Sequence, residues 1–209
     1  MTAASPIIPK ALAAAVEYAA TAHQTQFRKR ATTDHRTKIP YISHLLAVAG
    51  IVIEDGGTLD DAIAGLLHDV IEDQDSDLTR AADIEQRFGG AVLTIVQKCS
   101  GPKKEDPGMA DFGVRKQVCL DHLRAEDNTG AIMVSLADKV HNARSTVNDL
   151  ETDGPRIWDR FNAGAPEQLW WYESLAAAYA DHAQAGRADP ARAAELGHLV
   201  DRMRELTPA

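Results

Sequence analysis

Apolar positions recur at three- and four-residue intervals along almost the whole chain, the spacing of helices with one buried face. Pro9 can open a first helix, with Leu12, Val16, Ala19 and Ala20 on one side. A polar stretch over residues 28–39, "RKRATTDHRTKI", interrupts the pattern. Pro40 then starts "PYISHLLAVAGIVIEDGG", a second helix ended by Gly56 and Gly57. Asp60 and Asp61 fall in the first turn of a third, where carboxylates favour the helix dipole. Asp77 is placed to cap a fourth through "LTRAADIEQRFGG", and "AVLTIVQKCS" gives a fifth. The Gly- and Pro-rich "GPKKEDPGMADFG" reads as a loop, followed by helices near 114–124 and 131–150. In "APEQLWWYESLAAAYADH" the residues Leu169, Trp170, Tyr172, Glu173 and Ala176 keep helical spacing, with the aromatics as core or, in the alternative, as a substrate-pocket wall, and a last helix runs near 190–206. No segment alternates with a period of two and no repeat is visible. The fold class is all-α.

The 209 residues suit one domain, with a core over about 10–150 and a C-terminal helical extension over 151–209. Net charge is −9, which repels nucleic acid and anionic membrane. An anionic substrate would therefore need local cations or a metal to collect it. Cys99 and Cys119 form no C-x-x-C pair and sit among apolar residues, as reduced packing positions in a cytoplasmic chain. The start carries no signal-peptide pattern, and no apolar run approaches the ~18 residues of a spanning helix.

One stretch departs from ordinary amphipathic patterning. "GLLHDVIED", residues 65–73, crowds His68, Asp69, Glu72 and Asp73 beside an apolar run. On a helical wheel with His68 at the origin, Glu72 falls at about 40°, Asp69 at about 100° and Asp73 at about 140°. The polar face is thus continuous and adjoins the core face. A solvated surface would explain the carboxylates, but it explains His68 less well. An adjacent His–Asp pair supplies one nitrogen and one oxygen to a metal. His44 lies inside the apolar "PYISHLLAVA" of the preceding helix. Asp138 lies among Ile132, Val134, Leu136 and Ala137, where an acid must be paired or bound to a cation. Asn142 is one turn further on the same side. His141 reads as a helix-surface histidine.

The set His44, His68–Asp69 and Asp138 resembles the HD superfamily of metal-dependent phosphohydrolases, all-helical domains in which two His and two Asp hold a divalent ion. Such N/O ligands suit Mn²⁺, Fe²⁺ or Zn²⁺. Further segments, "HQTQFRK" at 23–29, "PYISH" at 40–44, "IEQRFGGAV" at 84–92 and "SLADKVHNAR" at 135–144, follow the order of the RelA/SpoT hydrolase domain in its free-standing form. That resemblance implies removal of the 3′-pyrophosphate of (p)ppGpp, usually with Mn²⁺. It implies that Glu72 and Asp73 activate water and assist proton transfer. It assigns Arg28 and Lys29 to the nucleotide, and Lys139, Asn142, Arg144 and, with a weaker match, Ser145 to ribose or phosphates.

The link at residues 30–39 is longer than the family's usual short turn and borders the expected base pocket. A related HD enzyme acting on NADPH or a nucleoside monophosphate is the nearest alternative. A nucleotide-binding regulator without catalysis, or an antidote to a toxic synthetase, is the alternative from another class. No ligand or acid of the motif is missing, which favours catalysis. The segment after 150 is expected to complete the pocket or to form a homodimer surface.

Overall fold

The computed structural model describes residues 9–28, 38–74, 79–103 and 105–208. Helices dominate these residues: α1 (Lys10–Ala22), α2 (Ile42–Glu54), α3 (Leu59–Leu67), α4 (Val70–Gln74), α5 (Arg80–Phe88), α6 (Gly90–Cys99), α7 (Phe112–Ala125), α8 (Thr129–Asp153), α9 (Ala165–Gln184) and α10 (Pro190–Glu205), with a 3₁₀ turn at Pro155–Arg160. Lys29, most of the 30–39 link and the Asp77 cap lie outside the described residues. The sole departure from helix and loop among the described residues is an antiparallel bridge between Phe27 and Pro40. It is closed by Arg28 N–H to Ile39 O and Tyr41 N–H to Gln26 O. This bridge brings the end of α1 back to the start of α2.

Helix ends follow local chemistry. Thr58 and Asp61 form a reciprocal capping box at α3. Asp111, Asn128 and Asp189 cap α7, α8 and α10 through their side chains. Gly56, at φ 79°, turns the chain out of α2 in a conformation that side-chain-bearing residues resist.

The core runs along α2, α3 and α8. Leu45, Val48, Val52, Leu66, Leu67, Ile132, Leu136 and Val140 are all buried there. Gly65 permits the closest approach: a Cβ on it would lie 3.2 Å from Ala49 Cα and 3.4 Å from Ala49 N. Helices α2 and α3 therefore touch almost backbone to backbone, one turn from His44 and His68. Helix α10 packs along α8 and against α9, with Trp171, Leu175, Tyr179, Leu196 and Met203 buried on α9 and α10. Trp170 of α9 is left partly exposed, as is Phe27.

One sequence expectation fails here. The single helix that the wheel of "GLLHDVIED" assumes is broken at His68–Asp69, between α3 and α4. The His68 ring bonds through Nδ1 to Gly65 O at 2.9 Å. A regular helix reserves that oxygen for the Asp69 N–H, so the ring competes with the ladder and opens it. The helical bond from Asp73 N–H to Asp69 O then resumes.

Candidate metal centre and substrate cleft

Four side chains from three helices meet at one point. His44 comes from α2, His68 and Asp69 from the break after α3, and Asp138 from the middle of α8. His44 Nε2 lies 3.1 Å from Asp138 Oδ1 and 3.7 Å from Asp69 Oδ2. His68 Nε2 lies 3.1 Å from Asp69 Oδ2 and 3.8 Å from Asp138 Oδ1. Donors that share one ion at about 2.1 Å sit roughly 3.0–3.5 Å apart, so these separations fit a common cation. His44, His68 and Asp69 together form a group able to hold a metal. His68 Nε2 is fully buried and makes no hydrogen bond. With Nδ1 committed to Gly65 O, the free Nε2 lone pair aims into the cluster, the arrangement of a histidine ligand oriented by its other nitrogen. The donors present fit a divalent ion on geometry and on chemistry.

Electrostatics agree. Burial works against charge on Asp69, yet His68 outweighs it and holds the carboxyl down at about 2. Asp138 is held well below the carboxylate range: burial raises it, but Lys139 and the two histidines prevail. Burial lowers His44. It would lower His68 too, but Asp69 and Asp138 drive that ring well above its usual value. Two anionic carboxylates thus demand a cation among them.

The partners around the cluster are specific. Tyr41 O–H donates to Asp69 Oδ2. Asn142 Nδ2 donates to Asp138 Oδ1 at 2.6 Å, and Lys139 Nζ to Asp138 Oδ2. Arg28 donates to Asn142 Oδ1 at 3.1 Å and to Ser145 Oγ at 3.2 Å. A chain of contacts therefore links Arg28, through Asn142, to the candidate ligand Asp138. Arg144 behaves differently from its neighbours: its Nε pairs at 2.6 Å with Glu195 of α10. His141 corrects the surface reading. Its Nδ1 lies 2.8 Å from His44 Nδ1, with ring centres 4.9 Å apart. Burial, then the His44 charge, press its pKa down to about 4, so this ring is neutral near pH 7.

Glu72 and Asp73 project from α4 beside the metal cluster. Gly101 N–H donates to Glu72 Oε2 at 3.2 Å. Desolvation in the cleft, the largest influence, raises the Glu72 carboxyl above its usual range, and Asp69 adds to it. Asp73 accepts from Gln26 Nε2 at 2.7 Å, and Gln26 in turn meets His23 Nδ1 at 2.7 Å. His23 stacks on Tyr41. Thus the end of α1 braces both Asp73 and the tyrosine that bonds Asp69.

Two cavities open here and share Asp73, Arg115, Lys116 and Trp171. One, of about 600 Å³, includes Glu72, Lys98, Lys103, Lys139 and Tyr179 in its wall. The other, of about 470 Å³, includes Arg28, Tyr41, Asn142, Phe161 and Tyr172. Lys116 stands between them with its Nζ 4.5 Å from the centre of the Trp171 ring. Burial lowers its pKa, and the nearby Lys139 lowers it further. The sequence did not reveal His23, Gln26, Tyr41 or Lys116 as site residues, whereas the aromatics around Trp171 were open to a pocket-wall reading. Only the "HQTQFRK" and "PYISH" segments pointed toward three of them. Cys99 and Cys119 line the larger cavity, and burial pushes the Cys99 thiol up to about 12, so neither reads as a nucleophile.

Comparison with known proteins places the chain in a family. The family model for the HD domain matches residues 15–165. The chain belongs to the HD-domain family. Its relatives include the guanosine-3′,5′-bis(diphosphate) 3′-pyrophosphohydrolases MESH1 of Xenopus tropicalis, at 36% identity, and of Homo sapiens, at 32%. Each alignment covers 69% of this chain and 72% of the relative. The bifunctional (p)ppGpp synthase/hydrolase SpoT of Escherichia coli is 34% identical over 56% of this chain but only 16% of its own length. The solved structure of a metazoan ortholog of SpoT that hydrolyses ppGpp superposes over 97% of this chain with a TM-score of 0.72 at 21% identity, a likeness of fold. No helix among the described residues is long and apolar enough to cross a membrane.

Proposed function

We propose that this protein hydrolyses the 3′-pyrophosphate of guanosine alarmones, (p)ppGpp, to GDP or GTP and pyrophosphate. The observation that carries the reading is the convergence of His44, His68, Asp69 and Asp138, with its unpartnered buried Nε2, on a cleft walled by cations and aromatics. The similarity to MESH1 over most of the chain supports the substrate. The four residues hold the divalent ion, taken as Mn²⁺, with Fe²⁺ and Zn²⁺ the other ions their N/O donors suit. When bound, the ion supplies Lewis acidity to a phosphoryl oxygen and to water.

The chain's own residues do the rest. The aromatic cavity takes guanine, with the Arg28 guanidinium plane against the base. Asn142 and Ser145, already bonded to Arg28, face the ribose. Lys116 and Lys139 meet phosphate oxygens, and a phosphate there offsets the burial and the Lys139 charge that lower the Lys116 ammonium. Glu72, with its raised pKa, accepts a proton from the attacking water near neutral pH. Asp73, fixed by Gln26, is its partner in returning a proton. The water oxygen bonds to the ribose-proximal phosphorus, the P–O3′ bond breaks, and O3′ leaves protonated on the nucleoside.

The test is to incubate the pure protein with Mn²⁺ and either ppGpp or NADPH, and to separate products by ion exchange. GDP and intact pyrophosphate are expected. Release of single orthophosphates from ppGpp, or faster turnover of NADPH, would overturn the assignment.

A further inference from the structure

We propose that His141 is a positioning residue of the metal centre: it accepts the Nδ1–H of His44 and so fixes the tautomer in which His44 Nε2 offers a lone pair to a divalent ion. The argument starts from His44. Its side chain is 1% exposed, so each ring nitrogen must be satisfied within the protein. Nε2 faces Asp138 and Asp69. Nδ1 faces His141 Nδ1 at 2.8 Å. The other rings around His44 are Tyr41 and His68, both edge-on. Tyr41 spends its hydroxyl on Asp69.

A neutral imidazole carries one proton on two nitrogens. If Nε2 is to bind a cation, the proton must sit on Nδ1 and needs an acceptor. His141 meets that need by holding its own proton on Nε2 and presenting an Nδ1 lone pair. The reverse tautomer pair puts a proton on His44 Nε2, pointed at Asp138, and blocks the ligand. His68 solves the same problem with a backbone carbonyl, Gly65 O. His44 has a side chain in that place, one helical turn from Asp138 on α8. A single helix thereby supplies one ligand and the orienting group of another.

The proposal rests on the metal-site part of the functional reading and not on the substrate. Two variants separate acceptor from bulk. His141→Leu removes the acceptor, whereas His141→Asn places its Oδ1 where the imidazole Nδ1 stood. His141 is half-buried on the face of α8 turned toward His44, so both variants should fold, which circular dichroism and the melting temperature of the chelator-treated protein check. Mn²⁺ affinity is then read by electron paramagnetic resonance of the free ion.

His141→Leu should weaken Mn²⁺ about 10–100-fold, the usual cost of losing the partner of a ligating histidine. His141→Asn should bind nearly as tightly as wild type. In Zn²⁺-loaded protein, long-range ¹H–¹⁵N spectra should show the His44 proton on Nδ1. Unchanged affinity in His141→Leu would overturn the proposal, and so would an equal loss in both variants. Wild-type protein that binds no Mn²⁺ would instead overturn the metal reading beneath it.

Discussion

At the scale of single residues, the decisive fact is that two carboxylates, Asp138 buried and Asp69 half-buried, meet two imidazoles, and among the described residues Lys139 is the lysine paired with Asp138. Asp138→Asn keeps size and hydrogen-bonding shape but removes the charge. It should fold, yet fail to retain Mn²⁺ through gel filtration and lose turnover, as metal analysis and a product assay would reveal. Retention of one ion per chain at normal turnover would contradict the ligand role. Glu72 has a different duty. Its pKa is raised, so the folded protein binds a proton there at a pH where the unfolded chain has lost it. Stability from this group therefore falls as pH rises from the ordinary glutamate range through the raised value. Under the proposed mechanism activity runs the other way, because there Glu72 must be ionised to act as the base. Glu72→Gln should bind metal and nucleotide, turn over at least ~100-fold more slowly, and lose the acidic limb of the pH–rate profile. It should also melt no lower than wild type above that limb. A full-rate variant with an unchanged profile would remove Glu72 from the chemistry. The four meeting residues were legible because each is a polar group set in an apolar run. His141 was not, since one histidine at i+3 from Asp138 carries no sign of the ring waiting 97 residues away.

Among elements, the α2–α3 contact sets the spacing of the centre. Gly65 and Ala49 let the two backbones approach within side-chain range of nothing larger than a hydrogen. A Gly→Ala change inside a helix normally gains up to ~1 kcal/mol. Here the added methyl meets backbone atoms, which cannot rotate away. Gly65→Ala should therefore cost roughly 1–3 kcal/mol, the range for overpacking a core. That corresponds to a drop of a few degrees up to about 10 °C in melting temperature for a chain of this size. Because His44 and His68 ride on the separated helices, Mn²⁺ affinity should fall as well. A Gly65→Ala protein that melts higher and binds Mn²⁺ normally would mean that the approach is not what spaces the ligands. The helices themselves were readable from period and caps. The break at His68–Asp69 was not, because no Gly or Pro marks it. Its cause is a ring–carbonyl bond that only the folded backbone brings into reach.

For the whole molecule, the question is how a chain of net charge −9 collects a polyanion. The answer lies in where the charges fall. Among the described residues lining the two cavities, Arg28, Lys98, Lys103, Arg115, Lys116, Lys139 and Arg160 outnumber Glu72, Asp73, Glu105, Glu126 and Asp149. This excess joins segments from α1 to the turn before α9, so no local stretch of sequence displays it. Conversely, Arg144 and Arg192 are drawn into ion pairs with Glu195 and Asp55 that tie α10 to α8 and to the end of α2. The surface acids act over distances that salt screens, about 10 Å at 0.1 M, whereas in the proposed complex the cleft cations would touch the phosphates. Contact attraction should win. Raising salt from about 0.05 to 0.5 M should therefore raise KM for ppGpp several-fold and leave kcat nearly constant. Lys116→Ala should raise KM about tenfold at low salt, the loss of one charged hydrogen bond, and should flatten the salt dependence. Steady-state kinetics across that series decide the matter. If KM fell as salt rose, the long-range field of the acidic surface would dominate, and Lys116 would not be the anion's partner.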